Sequence, residues 1–191
     1  MPARCDMVDR KRAENAVREL LAAIGEDSSR EGLRETPERV ARMLEELTAG
    51  YADRAEEHLG KTFAESGSAL VIERDIAFSS TCEHHLMPFF GRVHIAYVPD
   101  GKVAGLSKLA RTVEVYARRL QLQERMNAQI ADAIFRHLAP KGVAVVVEAE
   151  HTCMTARGVK KTGSSTVTCA VRGEISDGVV AQLLSYTGER K

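Results

Sequence analysis

The apolar residues of this chain change period once, near residue 69, and that change divides any fold it can adopt. Before it they recur at the three-and-four spacing of a helix; after it strand-like alternation appears. Ala13, Val17, Leu20, Leu21 and Ile24 fall on one helical face that stops before Gly25. Thr36-Pro37-Glu38 predicts a second helix start, with Thr36 as N-cap, Pro37 at the first helical position and Glu38 at the positive dipole end. Val40, Met43, Leu44 and Leu47 carry its stripe to Gly50. Gly60 and Ser66-Gly67-Ser68 read as loop, so residues 1–68 are expected to form an N-terminal helical arm.

Beyond it, Leu70–Phe78 and Phe89–Val98 have strand character, with Val93, Ile95 and Tyr97 on one face of the second. Pro99-Asp100-Gly101 is a turn signal leading to a short strand at Lys102–Ala104. Ser107 offers an N-cap to a helix with Leu109, Val113, Tyr116 and Leu120 on one side. A second helical stripe, Met126, Ile130, Ile134 and Leu138, ends at Pro140. Val143–Ala149 is nearly all apolar and suits a buried strand; Thr166–Arg172 suits another, and Asp177–Tyr186 a closing helix. Two strands, two helices and two strands make an α+β unit with an antiparallel sheet over residues 69–191.

With 191 residues, 44% of them hydrophobic, the chain can bury a substantial core. Lys plus Arg equals Asp plus Glu at 27 each, which argues against nucleic acid as a partner, because phosphate affinity needs a clustered basic excess. No apolar run approaches a membrane span, and the first residues do not resemble a signal peptide, so a cytoplasmic location is expected. In a reducing cytosol Cys5, Cys82, Cys153 and Cys169 are better read as metal ligands, nucleophiles or buried small residues than as disulfides.

The densest chemistry is Cys82-Glu83-His84-His85. Its C-x-x-H spacing lets one turn aim a thiolate and an imidazole at a single ion. The best third ligand is Cys153, in His151-Thr152-Cys153 after the Val143–Ala149 strand. Three such ligands leave one of zinc's four positions for water, as catalytic sites do, and a water held there has a pKa near 7. His84 and His151 sit beside ligands as candidate proton carriers. The competing reading is a Cys82–Cys153 disulfide in oxidised, metal-free protein. Cys169 lies in the apolar run Val167–Val171 and is expected in the core, Cys5 in a loose terminus. His58, His94 and His137 have no companions and read as ordinary surface or strand residues.

Two further groups stand out. In Ser107-Lys108-Leu109-Ala110-Arg111 the two cations lie three apart on one face at a helix start, where free N–H groups attract anions. Arg157, Lys160 and Lys161 form another basic loop soon after Cys153. Read alone, both groups are better taken as a solvated helix start and a charged hairpin tip. A Walker-type phosphate loop is absent. Gln123-Glu124 pairs an amide with a carboxylate that can accept the paired N–H donors of a purine edge, although on its own it is no more than an acid at a helix start.

Together these blocks resemble the zinc-dependent GTP cyclohydrolase I family. The likeness runs from Gly32-Leu33-Arg34-Glu35-Thr36-Pro37 to about Gly173. It is carried by Cys82-Glu83-His84-His85-Leu86-Met87-Pro88-Phe89, Gly105-Leu106-Ser107-Lys108-Leu109-Ala110-Arg111, Gln121-Leu122-Gln123-Glu124-Arg125 and His151-Thr152-Cys153-Met154. Ala156 is a departure, at a position where family members often have Met. The resemblance implies the tunnel fold, a ββααββ sheet with helices on one face, assembled as a homodecamer with sites at subunit contacts. It implies one Zn2+ per subunit on Cys82, His85 and Cys153, and GTP as substrate. Glu124 with Gln123 would anchor the purine, His84 and His151 move protons, Ser107 lie near the ribose, and Lys108, Arg111 and Arg157 meet the triphosphate. Two other readings are a tunnel-fold nitrile reductase, against which the Cys/His/Cys set speaks, and a non-enzymatic zinc module, which requires a closed four-ligand site.

Overall fold

The structure, a computed structural model, describes residues 8–67 and 69–188; the expectations for Cys5 and for Ser68 lie outside the described residues. Helices α1 (Arg10–Ala23) and α2 (Thr36–Thr48) pack on each other and lead through a 3-10 turn at Ala49–Tyr51 to the short α3 (Ala55–Leu59). Asp9 caps α1 by accepting from the Arg12 N–H at 3.0 Å. Thr36 does not cap α2. The chain is already wound through Arg30–Glu35, Glu35 precedes the helix without a side-chain cap, and the Thr36 hydroxyl turns back towards the Gly32 carbonyl.

One five-stranded sheet organises the rest. Strands β2 (Val71–Cys82), β3 (Pro88–Val98), β5 (Leu120–Gln121), β6 (Gly142–His151) and β7 (Thr166–Gly173) lie in the order β5-β2-β3-β6-β7. The four long strands pair antiparallel, and β5 adds two residues parallel to the end of β2. Two short strands, β1 (Thr62–Ala64) and β4 (Lys102–Ala104), pair separately, so the segment after Gly60 is not all loop.

Helices α4 (Leu106–Ala117) and α5 (Gln123–Leu138) cover one face. Leu109, Val113, Met126, Ile130 and Ile134 meet Phe89, Val93, Ile95, Val145 and Val147 there, and Ala55 and Leu59 of α3 join this core. On the opposite face Leu183 of α7 (Asp177–Ser185) packs with Ala96, Ala144 and Val146. Helices on both sides are why Val143–Val147 are all fully buried and read as an unbroken apolar run. The result is the ββααββ layout of a tunnel fold. Among the described residues no helix is long and apolar enough to cross a membrane.

Two further expectations change. Ser107 is not the cap of α4: Gly105 takes the extended conformation before it, no side chain caps the helix, and Ser107 falls in its exposed first turn. Cys169 is not in the core. It alternates outward with Val167 and Val171 on β7, the sheet's edge, while α7 packs over β6 and β3. A continuous apolar run cannot reveal which side of an edge strand is covered. His94 is a strand residue but wholly buried; its Nδ1 accepts from the Asp75 N–H at 3.2 Å, where β2 bulges, and burial lowers its pKa.

Gly91 sets how closely β6 can approach β3. A Cβ there would lie 1.8 Å from the Glu148 carbonyl oxygen and 2.7 Å from the Ala149 Cα. Neither backbone atom can move without shifting the β3–β6 ladder. Gly91→Ala is expected to cost about 3 kcal/mol, lowering Tm by roughly 6–12 °C; an unchanged melting curve would contradict this.

Candidate metal centre

The centre forms where β2 ends, β3 begins and β6 runs out. The chain reverses between Cys82 and Pro88: the Cys82 N–H donates to Met87 O at 2.8 Å, the Leu86 N–H to Cys82 O at 2.9 Å, and Leu86 takes a φ of 54°. On the other side the Glu83 N–H donates to Gln121 O of β5 at 3.1 Å. This tight turn swings His85 back over Cys82. Because β6 is antiparallel to β3, with His151 opposite Phe89, the end of β6 arrives at the same place. Cys153 follows in the one-turn helix α6 (Thr152–Thr155), and the Thr152 hydroxyl ties that turn to Pro88 O at 2.6 Å.

The donor atoms of Cys82, His85 and Cys153 all lie within 4.8 Å of one another, and the two sulfurs are 4.0 Å apart. A tetrahedral zinc with 2.3 Å bonds to sulfur wants its thiolates about 3.8 Å apart, so this donor set fits that ion. Among the described residues it is the one such group able to hold a metal. The alternative of a Cys82–Cys153 disulfide is not realised, since both cysteines are free. Burial, then the neighbouring Cys82 sulfur, pushes the Cys153 thiol up, and the Arg157 charge works in the opposite direction.

His151 is held beside this cluster from two sides. Its ring stacks on Phe89, 4.5 Å between centroids and 8° from parallel, and Phe89 itself meets the edge of Phe78. Its Nε2 lies 2.9 Å from Oε1 of Gln123. Burial lowers the His151 pKa, partly offset by the nearby Glu124 carboxylate.

Gln123 turns its amide nitrogen inward, onto the sheet. Its Nε2 donates to Val147 O at 3.0 Å and Thr166 O at 2.9 Å, with Thr168 Oγ1 at 3.3 Å. Glu124, next in the first turn of α5, is exposed, as are His84 and His85, whose rings meet edge to face. The sequence also hid a pair: Arg125 grips Glu83 through two hydrogen bonds, at 2.6 and 2.9 Å. Glu83 and Arg125 are 42 residues apart, and no spacing rule links them.

Ser107, Lys108 and Arg111 stand elsewhere. Helix α4 is 12 residues long, about 18 Å. Its far end leads into β5, beside Cys82, whereas its start follows β4, whose Ala104 N–H donates to the Tyr97 hydroxyl at the opposite end of the sheet. One chain therefore gathers Cys82, His85, Cys153, His151, Gln123 and Glu124 at one end and leaves the Lys108–Arg111 group at the other. Arg157 is exposed just past α6 on the metal side.

Fold and site define a tunnel-fold protein with a three-donor centre able to hold a metal ion at the end of its sheet. The family model for GTP cyclohydrolase I matches residues 13–185. A Clostridium kluyveri protein named GTP cyclohydrolase 1 is 59% identical over 166 residues, covering 87% of this chain and 90% of that one. Proteins of the same name from Carboxydothermus hydrogenoformans and Streptococcus sanguinis are 57% and 56% identical, over 92% and 88% of this chain and 92% of each of theirs. The apo crystal structure of the archaeosine synthase QueF-Like matches with a TM-score of 0.48 and 20% identity, over 59% of this chain and 100% of that one. The chain belongs to the GTP cyclohydrolase I family of enzymes.

Proposed function

We propose that this enzyme hydrolyses GTP at C8 of the imidazole ring and releases that carbon as formate. It then rearranges the ribose and closes the ring to 7,8-dihydroneopterin triphosphate, the first step towards tetrahydrofolate-type pterins and so part of one-carbon metabolism. The observation that carries the reading is the convergence of Cys82, His85 and Cys153 within 4.8 Å, with His151 held beside them. One Zn2+ per subunit suits this donor set; when bound, it brings the pKa of a water towards about 7 and so supplies the nucleophile.

The chain's own residues do the rest. Because the Gln123 amide nitrogen donates to two carbonyls, its oxygen is the atom facing His151, and His151 Nε2 must carry the proton. Nδ1 is then the atom that exchanges a proton with substrate, with His84 the second carrier on the exposed side. Glu124 accepts the paired N–H groups of the guanine edge. Ser107 lies at the ribose, Lys108 and Arg111 meet the triphosphate at the uncapped start of α4, and Arg157 meets it from the metal side. The separation of this group from the metal cluster within one chain supports a site completed between subunits, in a homodecamer in the cytoplasm. Residues 1–68 serve as the helical arm and 69–191 as the catalytic domain, although Ala55 and Leu59 lend the core two side chains.

The test is formate release and oxidised-pterin fluorescence from zinc-loaded protein given GTP, with chelated protein alongside. Both signals should vanish with the metal; neither product from loaded oligomer would overturn the reading. Lys108→Ala should raise KM for GTP by roughly tenfold or more, the worth of a charged hydrogen bond to phosphate, while kcat changes little. An unchanged KM would remove Lys108 from the triphosphate site.

A further inference from the structure

The turn that carries His85 is held from outside by one side chain. Backbone bonds secure Cys82, Glu83, His85 and Leu86, the His85 N–H reaching Cys82 O at 3.4 Å, but the His84 and His85 rings contact each other and are otherwise exposed. Among the described residues, Glu83 is the one residue of 83–87 whose side chain hydrogen-bonds to the rest of the protein, through two bonds to Arg125. Its partner, Arg125, is rooted in the first turn of α5 between Glu124 and the fully buried Met126, and Gln123 is 1% exposed and pinned by the sheet. One end of this connection is therefore fixed, and the other is the metal loop.

We propose that Glu83 and Arg125 form a positioning clamp that sets the metal loop against the start of α5. It holds His85 in place for the ion and keeps a constant offset between the metal centre and Glu124. This rests on the metal reading above. Two parallel N–H···O bonds fix the plane of the carboxylate as well as its distance, which a single contact cannot do. A lysine at 125 would keep the charge and lose the fork. The side chains are 44% and 30% exposed, so the pair adds little to folding stability, and its loss should appear in the geometry of the site.

The experiment measures zinc affinity of the full-length protein by competition with a chelator, together with thermal unfolding of the metal-free form. Arg125→Ala, Arg125→Lys and Glu83→Gln should each weaken zinc binding by up to about tenfold. That is the lower end of the loss when a partner bonded directly to a ligand is removed, because the pair holds the loop and touches no ligand side chain. The Glu83→Gln/Arg125→Ala double variant should be no more than about twofold worse than either single, because both remove the same connection. The metal-free melting temperature should stay within about 2 °C of the parent protein. Zinc affinity unchanged in the singles, losses that multiply in the double, or metal-free unfolding that accounts for the whole loss would each overturn the clamp. A parent protein that binds no zinc would overturn the metal reading and the clamp with it, a result distinct from those three.

Discussion

Cys153→Ser protein is expected to purify folded, without zinc and without formate release. A serine hydroxyl is not ionised near neutral pH and is a poor donor to a thiophilic ion, leaving Cys82 and His85 as a two-ligand remnant. Losing even an outer-shell partner costs 10–100-fold in affinity, so loss of a direct ligand should exceed about 100-fold. Folding should survive, because the α6 turn is tied by the Thr152 hydroxyl to Pro88 O and Cys153 is only partly buried. Metal analysis beside formate measurement checks both halves at once. Stoichiometric zinc with full turnover in this variant would remove Cys153 from the metal site.

Gln123→Ala is expected to separate kcat from KM. The substitution removes the partner of His151 Nε2 and the side-chain donor to the Val147 and Thr166 carbonyls, at a residue only 1% exposed. His151 keeps its stack on Phe89 but loses the contact that selects its tautomer. The expected result is a kcat lower by about 100-fold, the scale of a positioned proton carrier, with KM for GTP within a few-fold of the parent. The lost hydrogen bonds and the cavity should also cost roughly 2–4 kcal/mol of stability, seen as a lower melting temperature. If Gln123 instead touched the purine, KM would rise while kcat held.

Much of this is legible in the sequence. The order of elements followed from periodicity, because a strand and a helix place apolar residues at different spacings whatever surrounds them. The candidate ligand pair Cys82 and His85 was legible because one turn joins them, and the third candidate, Cys153, because it follows a buried strand. What misled was local reading at element edges. Thr36 and Ser107 looked like caps by residue type, but the preceding backbone decided where each helix began. Cys169 looked buried because composition cannot tell an edge strand from a central one.

By itself the sequence determined the residue types that can hold an ion, the strands and helices that present them, and their order along the chain. Those are short-range properties, set by side-chain chemistry and backbone period. Tertiary structure alone decided three things. The pairing of β3 with β6 brings His151 opposite Phe89 and Cys153 to Cys82. The inward turn of the Gln123 amide makes it a partner of His151. The reach of Arg125 across 42 residues to Glu83 joins the metal loop to α5. Each is a contact between segments distant in sequence, fixed by sheet register and helix packing and so carried by no local spacing.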